Sequence, residues 1–577
     1  MRILKTESSF VRCVQIDAEG ALGPLLIEIN AVQPEDRRTA NEAVRVESES
    51  SIRSRFESYL SDESGLGPGN AQLVFFPVTE KQVAGFLREM NARKTSVTIS
   101  GARTSIVGGA VPNGGALMSL ERMNRIVGVK WDEPTREWRI LVEPGISLRE
   151  FQGIVTSKNL RNYADPSDPG WAGLQRFLSE GNQYFYPPDP TEDSASLGGT
   201  VATDASGART YFFGRTRSYV RAIRVAFATS DVLAIRRGVK LDSSGSVTIK
   251  CLEGGSRTLH IPSYKYPDVK CAAGYFNQKN MDLIGLFIGS EGTLGVITQI
   301  EVALVVAPKR TAFFLAFFPC EDDAVNFVLR IRSRRFAKGP LVVYSMEYFD
   351  SNSLNLLRRL MQEDGVGTGV RLPEDDSATA ILCEFAYQEA AEAVGLLQGP
   401  LEESRSSLDT AVSGMEEREK DNLRALRHAV PEAINKIVAK RKGGILGMHK
   451  IGTDTAVPDD KLQTMMRDYS QKLKASHLEH YVFGHIAENH LHVNILPRNQ
   501  VELVQGEALA LELTQEAVAL GGTVSAEHGI GKMKRALLNV MYDEATINQM
   551  VAVKSAFDPN LILSRGNMFE LNSIRSL

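Results

Sequence analysis

Three glycine-rich segments constrain the fold of this chain more than any other feature of its sequence. They span residues 99–115 ("ISGARTSIVGGAVPNGG"), 187–216 and 285–298, and the first follows the predicted strand "SVTIS". Glycine lets the backbone approach a ligand closely, and consecutive N–H groups in such loops form nests that bind anions. None of the segments is a G-x-G-x-x-G dinucleotide fingerprint or a P-loop ending in G-K-[ST]. We therefore expect either a phosphate-bearing ligand held by another architecture or plain turns, which glycine also marks.

The pattern of strands and helices changes near residue 306. Short β-rich runs alternate with helical ones from "AQLVFFPVT" to "GTLGVITQIEVALV", and a second series begins with "RTAFFLAFFP". Single hydrophobic cores stop growing at about 250–300 residues. A chain of 577 residues with 43% hydrophobic content therefore predicts at least two domains. The second series predicts an α+β domain with a sheet of its own.

Composition excludes several classes of function. The net charge of −4 and the 24% of charged residues give no basic face for a nucleic acid. No run of about 18 apolar residues predicts a transmembrane helix, and the start lacks the apolar core of a signal peptide. The five cysteines are scattered without a C-x-x-C pair, which is typical of reduced thiols. We expect a cytoplasmic protein, with a peripheral contact at the inner membrane left open.

The stretch "FGHIAENHLHVNILP" (483–497) contains three of the nine histidines. Side chains alternate along a strand, so His490, His492 and Asn494 are expected on one face, and the turn-like "AEN" lets His485 fold back. Imidazoles suit zinc, manganese, iron or nickel, and a carboxylate completes such a set; Glu527 in "SAEHGIG" is the candidate. The alternative is a group of exposed or core histidines without a metal.

Together these motifs resemble the flavoprotein superfamily of vanillyl-alcohol oxidase and p-cresol methylhydroxylase. "GARTSIVGGAVP" is similar to its pyrophosphate loop, and the other two glycine-rich segments are similar to its second and third FAD segments. "GHIAENHLHVN", "SAEHGIG" and "FDPNLILSRGNMF" resemble the branch of FAD-linked D-lactate dehydrogenase, D-2-hydroxyglutarate dehydrogenase and the glycolate oxidase flavoprotein subunit. The resemblance runs from about residue 70 to residue 577.

The resemblance implies an α+β fold with two kinds of domain. It predicts a lead-in over 1–55, a two-lobed FAD-binding domain of the p-cresol methylhydroxylase type over 56–305, and a cap domain with an antiparallel sheet over 306–545. Residues 546–577 are expected to return to the FAD domain. Covalent flavin in the superfamily uses a histidine or cysteine near the first FAD segments. No histidine precedes His260, and Cys13 is the only cysteine before the second segment, so non-covalent FAD is favoured.

The resemblance also carries FAD contacts over to positions of the three segments and the C-terminal motif. These residues are Ser100, Gly101, Ala102, Arg103, Thr104, Ser105, Gly108, Gly109, Ala110, Pro188, Asp189, Ser194, Leu197, Gly198, Gly199, Thr203, Ala205, Ser206, Gly207, Tyr211, Glu291, Gly292, Gly295, Val296, Ile297 and Asn567. Two positions depart from the family. Arg103 replaces a small residue, and Asp204 stands where many members have asparagine, which predicts extra negative charge near the flavin.

For the chemistry, the resemblance implies that His485, His492 and Glu527 bind a divalent metal, with zinc or manganese favoured. It gives His528 the role of general base. Arg427 matches an arginine that binds the substrate carboxylate, although a solvated helix charge is an equal alternative. His490, Asn494 and Lys450 are weaker substrate candidates. We expect Lys532 and Lys534 to be surface charges.

The implied activity is oxidation of a D-2-hydroxy acid, with D-lactate as the first choice and pyruvate as its product. Hydride passes to flavin N5, and a separate acceptor (a quinone, a cytochrome or an electron-transfer flavoprotein) takes the electrons. Two alternatives stay open: a metal-free flavin oxidase or an enzyme similar to ether-lipid synthases, and a non-enzymatic flavin electron-transfer subunit. A homodimer is also left open.

Overall fold

The computed structural model describes residues 13–15 and 42–570, apart from 166, 243, 252–254, 262, 333–338, 368, 443 and 446. Most of the lead-in predicted over 1–55 lies outside these residues. Two of its described pieces are strands, Cys13–Gln15 and Val44–Val46, and both pair with strands of the following region. Among the described residues, no helix combines the length and apolarity needed to cross a bilayer.

The first lobe is built on a four-stranded sheet. Its spatial order is Val44–Val46, Leu73–Phe76, Ala116–Ser119 and Val97–Ser100, and the last three strands are parallel. The helix Glu80–Ala92 begins at Thr79, whose hydroxyl accepts from the Gln82 amide, and buries an apolar stripe against the sheet. The first glycine-rich segment connects Val97–Ser100 to Ala116–Ser119, so the sheet holds both of its ends.

The second lobe contains a six-stranded sheet. The spatial order is Cys13–Gln15, Val232–Arg236, Val220–Ala226, Val296–Ala303, Glu137–Val142 and Ile126–Asp132. The second glycine-rich segment forms the helices Leu197–Thr203 and Thr210–Phe213, and the third leads directly into Val296–Ala303. Both segments are therefore anchored to one hydrophobic core.

Smaller elements complete the first half of the chain. The two-stranded sheets pair Ser246–Cys251 with Gly255–His260, and Val305–Val306 with Tyr184–Phe185. The remaining helices are Glu49–Arg55, Leu148–Ser157, Leu174–Ser179 and Ile284–Phe287. Short 3-10 turns cover Glu57–Leu60, Pro169–Trp171, Thr216–Ser218, Asp459–Lys461 and Ile486–Glu488, the last two in the second half.

The second half forms one antiparallel sheet with helices on both faces. The order of its main path is Val412–Gly414, Thr311–Phe318, Thr379–Tyr387, Leu341–Phe349, His480–His485, His490–Ile495 and Ile451–Gly452; Thr455–Ala456 also pairs with His490–Ile495. One face packs against Glu321–Arg332, Ala390–Glu402, Leu462–Ser476 and Gln500–Ala519, and the other against Ser351–Asp364 and Glu417–Arg441. The predicted α+β fold with an antiparallel cap sheet is confirmed.

The C-terminal segment lies against the first lobe. After the helices Arg535–Met541 and Glu544–Phe557, the backbone of Ile562 accepts from the Val97 amide at 2.7 Å. The Ser564 amide in turn donates to the Val97 carbonyl at 2.8 Å. The C-terminal motif thus reaches the strand that precedes the first glycine-rich segment.

Candidate functional site

The three glycine-rich segments converge in space. A Cβ at Gly101 would overlap the hydroxyl of Ser196, so the first and second segments touch where only glycine fits. Asn567 joins the first and third segments, because its amide donates to the carbonyls of Gly109 at 3.0 Å and of Glu291 at 3.3 Å. Residues that are far apart in sequence therefore lie next to one another.

In and near the first segment, three buried polar atoms lack a hydrogen bond within the described part of the chain. Arg103 has a φ of 65°, in the region that favours glycine, and its guanidinium lies 4.1 Å from the ring centre of Tyr59. Its Nη1 atom lies 3.5 Å from Glu121 Oε2 but has no hydrogen-bond partner among the described residues, and the buried hydroxyls of Ser119 and Ser564 have none there either. Such orphan atoms are rare in proteins and indicate a missing polar ligand. A dinucleotide cofactor supplies phosphates and hydroxyls of this kind, so the residues present fit FAD.

The second segment is held rigidly around its helix. The hydroxyl of Ser196 caps Leu197–Thr203 by accepting from Gly199 N, and a Cβ at Gly207 would overlap the carbonyl of Asp189. Burial raises the pKa of Asp189 to about 6, although Arg209 opposes the shift. The fully buried Tyr211 donates to the backbone of Arg332 in the cap.

Asp204 does not add an uncompensated charge, contrary to the expectation. Its carboxylate accepts from Arg217 Nε at 2.6 Å and pairs with Arg215 Nη1 at 3.0 Å. The residue has a φ of 51° and ends the helix Leu197–Thr203. Two cations therefore neutralise it, which the sequence pattern around it did not indicate.

Glu291, in the third segment, faces the backbone of the C-terminal half. Its carboxylate accepts from the amides of Ile530 and Gly531, both at 2.7 Å. Burial raises its pKa, while these two hydrogen bonds lower it. The side chain therefore fixes the loop after "SAEHGIG" onto the flavin segments. The adjoining Val296 and Ile297 belong to the central strand of the second lobe.

The histidines lie on a hairpin of the cap sheet. His480–His485 pairs with His490–Ile495 through a 3-10 turn, and Asn489 at the turn has a φ of 55°. His485 is directly opposite His490, with ring centres 5.4 Å apart, and the rings of His490 and His492 are 4.5 Å apart. The predicted fold-back of His485 and the shared face of His490 and His492 are therefore present.

Each of the three imidazoles has one nitrogen engaged by an oxygen outside the cluster. His485 Nδ1 lies 2.6 Å from Glu347 Oε1, and His492 Nδ1 lies 3.4 Å from the Thr453 carbonyl. His490 Nε2 lies 3.0 Å from Asp454 Oδ1. Metal-binding histidines have this arrangement, because the second partner fixes the tautomer and the orientation of the ring.

The other ring nitrogens of these histidines lie near the carboxylate of Glu527. One ligand atom from each of His485, His490, His492 and Glu527 lies within 4.8 Å of all the others. The donor set of imidazoles and a carboxylate fits a divalent transition metal. Asp454, His492 and His528 form a second group with the same property, so His492 belongs to both.

Glu527 also contacts the flavin side of the site. Its carboxylate accepts from the hydroxyl of Ser206 at 3.0 Å and pairs with the buried Lys270, which also reaches Glu488 at 3.0 Å. Burial acts to raise the pKa of Glu527, but Lys270 and His485 hold it well below its usual range. The carboxylate is therefore ionised and available as a ligand.

Protonation of the histidines differs between positions. Burial lowers the pKa of His485, but Glu347 and Glu527 outweigh it and raise the value to about 9. Burial lowers the pKa of His490 to about 4. Burial also lowers the pKa of His492 well below its usual range, and His490 and His528 add to the effect. A metal ion that binds here must displace a proton from His485, whereas His490 and His492 are already neutral.

His528 lies beside this cluster. Its Nδ1 is 3.2 Å from Asp454 Oδ2, and its ring stacks on His492 with the ring centres 5.5 Å apart.

Lys534 donates to the carboxylate of Asp454 at 2.7 Å, and its side chain is only 16% exposed. Lys532 donates to Asn567 Oδ1 at 2.6 Å, and burial lowers its pKa to about 8. The prediction that both lysines are surface charges is wrong, because each bonds a group inside the site.

The predicted substrate residues separate into two sets. Arg427 is a half-buried side chain with Nε 3.5 Å from Glu347 Oε2, so it is not a solvated helix charge. Asn494 is buried, and its amide donates to the His492 carbonyl at 3.1 Å. Lys450 is exposed, before the edge strand Ile451–Gly452.

Three residues of the site were missed by the sequence reasoning. Glu347 is a lone carboxylate in the apolar strand Leu341–Phe349, which is a signal that a buried charge has a partner. Asp454 precedes the short strand Thr455–Ala456 and was not among the predicted site residues. Lys270 lies in a stretch without helix or strand, "KCAAGYF", and no sequence pattern distinguishes it.

Comparisons with known proteins agree with this fold and site. The family of FAD linked oxidases, C-terminal domain, matches residues 307–568, and the FAD binding domain family matches residues 71–174. These matches define the class as an FAD-dependent oxidoreductase. The chain therefore carries both FAD-family domains and is similar to FAD-linked hydroxy-acid dehydrogenases, which confirms the resemblance seen in the sequence.

Its relatives are named after several different hydroxy acids. A D-lactate dehydrogenase of Anaerostipes hadrus is 27% identical over 89% of this chain and 92% of its own length. The glycolate oxidase subunit GlcD of Bacillus subtilis is 26% identical over 86% and 88% of the two chains, and a D-2-hydroxyglutarate dehydrogenase of Xanthomonas citri pv. viticola is 24% identical over 89% and 92%. Among solved structures, alkyldihydroxyacetonephosphate synthase aligns with a TM-score of 0.55 at 15% identity over 87% of this chain and 77% of that one, which shows a shared fold.

Proposed function

We propose that this protein is an FAD- and metal-dependent dehydrogenase that oxidises a D-2-hydroxy acid, with D-lactate as the first choice. One contact carries the proposal: Ser206 of the second flavin segment donates to Glu527 of the histidine cluster at 3.0 Å. The cofactor segment and the candidate metal ligands thus belong to one site. FAD, when bound, supplies the acceptor for the hydride from the substrate Cα.

Metal binding is assigned to His485, His492 and Glu527. Their free ligand atoms face one another, and Glu347 and Thr453 orient the two rings. A divalent ion, when bound, polarises the substrate hydroxyl and makes its proton more acidic. The choice between zinc and manganese belongs to this proposal.

His528 is assigned the role of general base. Asp454 accepts a hydrogen bond from Nδ1, which leaves Nε2 with a free lone pair. The same carboxylate accepts from the backbone amide of His528 at 3.1 Å, so both the ring and its backbone are held. Nε2 therefore takes the hydroxyl proton while the Cα hydride leaves.

The substrate carboxylate is assigned to Arg427, whose guanidinium presents two parallel donors. Glu347 is shared between Arg427 and His485, so it couples the anion site to the metal cluster. Asn494, His490 and Lys450 stay weaker substrate candidates. The electrons then leave to a separate acceptor, and one relative is named as a cytochrome-dependent D-lactate dehydrogenase. Residues 56–305 form the FAD-binding domain and residues 306–545 the cap in this proposal.

An anaerobic panel of 2-hydroxy acids tests the function. The purified, metal-loaded protein is mixed with D-lactate, L-lactate, glycolate and D-2-hydroxyglutarate, and bleaching of the flavin absorbance is followed. We expect D-lactate to reduce the flavin fastest and L-lactate to be inert. No bleaching by any acid would overturn the proposal.

The same assay separates the alternatives. Chelator treatment and the His492→Ala variant are expected to slow flavin reduction strongly, because they remove the ion. Reduction by His492→Ala as fast as by the parent would exclude the metal mechanism and favour a metal-free oxidase or ether-lipid-synthase chemistry. Turnover of the isolated chain with an artificial dye would exclude a purely electron-transferring subunit.

A further inference from the structure

His490 differs from His485 and His492, the other two histidines of the cluster, in one respect. It is 0% exposed, and its buried Nδ1 atom has no hydrogen-bond partner among the residues that the structure describes. Its Nε2 atom is fully engaged, at 3.0 Å from Asp454 Oδ1. A buried imidazole nitrogen without a partner is destabilising, because it loses its hydrogen bond to water and gains none in return.

Nδ1 of His490 faces the carboxylate of Glu527. The two atoms, Nδ1 and Oε2, are 3.9 Å apart, which is too far for a hydrogen bond. Metal–nitrogen distances are about 2.1 Å, so two ligand atoms on one ion are at most about 4.2 Å apart. The cluster, with all of its ligand atoms within 4.8 Å, needs only a small contraction to close around one ion.

We infer that His490 is a fourth protein ligand of the metal, through Nδ1, and that the site takes a six-coordinate ion such as Mn²⁺. This inference rests on the proposed function and extends its three-ligand set. Four protein ligands fill all four coordination positions of a tetrahedral zinc site. A hydroxy acid that binds the ion through both its hydroxyl and its carboxylate needs two further coordination positions. Octahedral coordination provides them, and carboxylate-containing sets suit manganese.

Asp454 is the positioning residue for this ligand. It fixes His490 in the tautomer that protonates Nε2 and leaves Nδ1 free. Lys534 and Ser525, each 2.7 Å from Oδ2, hold the carboxylate in place from the other side. The ring can therefore rotate little, and Nδ1 stays directed at Glu527.

Two substitutions separate coordination from a merely structural role. In His490→Gln, the side-chain amide reaches the place of Nε2 and keeps a donor for Asp454, but it puts no ligand atom at Nδ1. His490→Asn does the reverse, with an oxygen near Nδ1 and no donor for Asp454. His449→Gln, at an exposed histidine, is the matched control.

The test measures metal affinity in the flavin-loaded protein after removal of metal by a chelator. Mn²⁺ and Zn²⁺ are titrated separately, with free Mn²⁺ followed by electron paramagnetic resonance. We expect His490→Gln to weaken Mn²⁺ binding by more than about 100-fold, which exceeds the cost of losing an orienting partner. His449→Gln is expected to bind like the parent.

A second readout counts the ligands directly. With ¹⁵N-histidine in the protein, pulsed electron paramagnetic resonance of bound Mn²⁺ is expected to detect three coupled imidazoles in the parent and two in His490→Gln. Equal affinity and three coupled imidazoles in His490→Gln would overturn the inference while leaving the proposed function intact. A parent that binds neither ion better than a His485→Ala, His492→Ala double variant would overturn both.

Discussion

Asp454 is the residue on which the polar groups of the site converge. Its two oxygens bond His490, His528, Ser525 and Lys534, and it is 3% exposed. Burial alone would raise its pKa, but His528 and Lys534 hold the pKa well below its usual range. A buried carboxylate persists only with such partners, so one ionised group orients both a candidate ligand and the candidate base.

At the residue scale, we predict that His528→Gln slows flavin reduction by D-lactate about 10²–10⁴-fold, the usual contribution of a positioned base. The reason is that glutamine cannot take the hydroxyl proton. Metal content is expected to stay at the parent level, because His528 lies outside the Glu527 group. Stopped-flow measurement of flavin bleaching, with metal analysis of the same samples, tests this. A parental rate would show that another group accepts the proton.

At the element scale, the crossover from Val97–Ser100 to Ala116–Ser119 works only because Gly101 has no side chain. We predict that Gly101→Ala loses FAD and destabilises the protein by about 1–3 kcal/mol, because the added methyl meets Ser196. Gly153→Ala is the matched control, since its Cβ enters open space on the helix Leu148–Ser157. That change is expected to stabilise the protein by about 0.5–1 kcal/mol. Flavin content and urea unfolding measure both, and equal behaviour of the two variants would contradict the packing argument.

The helix Glu321–Arg332 carries a half-buried acid at its first residue. Burial raises the pKa of Glu321 to about 7, with Asp350 adding to the shift. Because the folded-state pKa lies above the unfolded value of about 4.5, its contribution to stability is complete below pH 4.5 and is lost as the pH rises through 7.

We therefore predict that Glu321→Gln, which stays neutral, is more stable than the parent at pH 8 by an amount on the order of 1–3 kcal/mol. Near pH 4 the two proteins are expected to unfold alike, because the parent carboxyl is then protonated in both states. Urea unfolding at both pH values makes the comparison. A stability difference that does not change with pH would show that folding leaves the pKa of Glu321 at its unfolded value.

At the scale of the whole molecule, the flavin segments and the cap sheet are joined by buried charge. Arg209, in the second glycine-rich segment, makes two hydrogen bonds to Glu384 of the strand Thr379–Tyr387, at 2.8 and 2.7 Å. The Glu384 side chain is 5% exposed, and Asp189 lies 3.7 Å from the same guanidinium. The pair lies between the candidate FAD site and the cap.

We predict that Glu384→Gln destabilises the protein by about 3–5 kcal/mol, because it leaves a buried cation without its full partner. The exposed pair Arg149 and Asp193 is the control, and Asp193→Asn is expected to cost at most about 1 kcal/mol. Thermal unfolding with flavin bound compares them. Equal losses in the two variants would mean that the buried pair does not hold the two halves together.

Much of the fold was predictable because local patterns carry it. The β-rich and helical runs, the change near residue 306 and the antiparallel cap follow from hydrophobic periodicity, which acts within a few residues. The alternation of His490 and His492 on one strand face has the same origin. The family was recognisable because its motifs are contiguous in the chain.

The sequence by itself determined the elements, the glycine segments and the identity of the candidate ligands. Only the tertiary structure decided how the charges are paired: Asp204 with two arginines, Lys534 with Asp454, and Glu347 between Arg427 and His485. These partners lie between 11 and 138 residues apart in the sequence, and burial makes each charge depend on its neighbours in space. That dependence separates His490, with its unpaired nitrogen beside Glu527, from an ordinary core histidine.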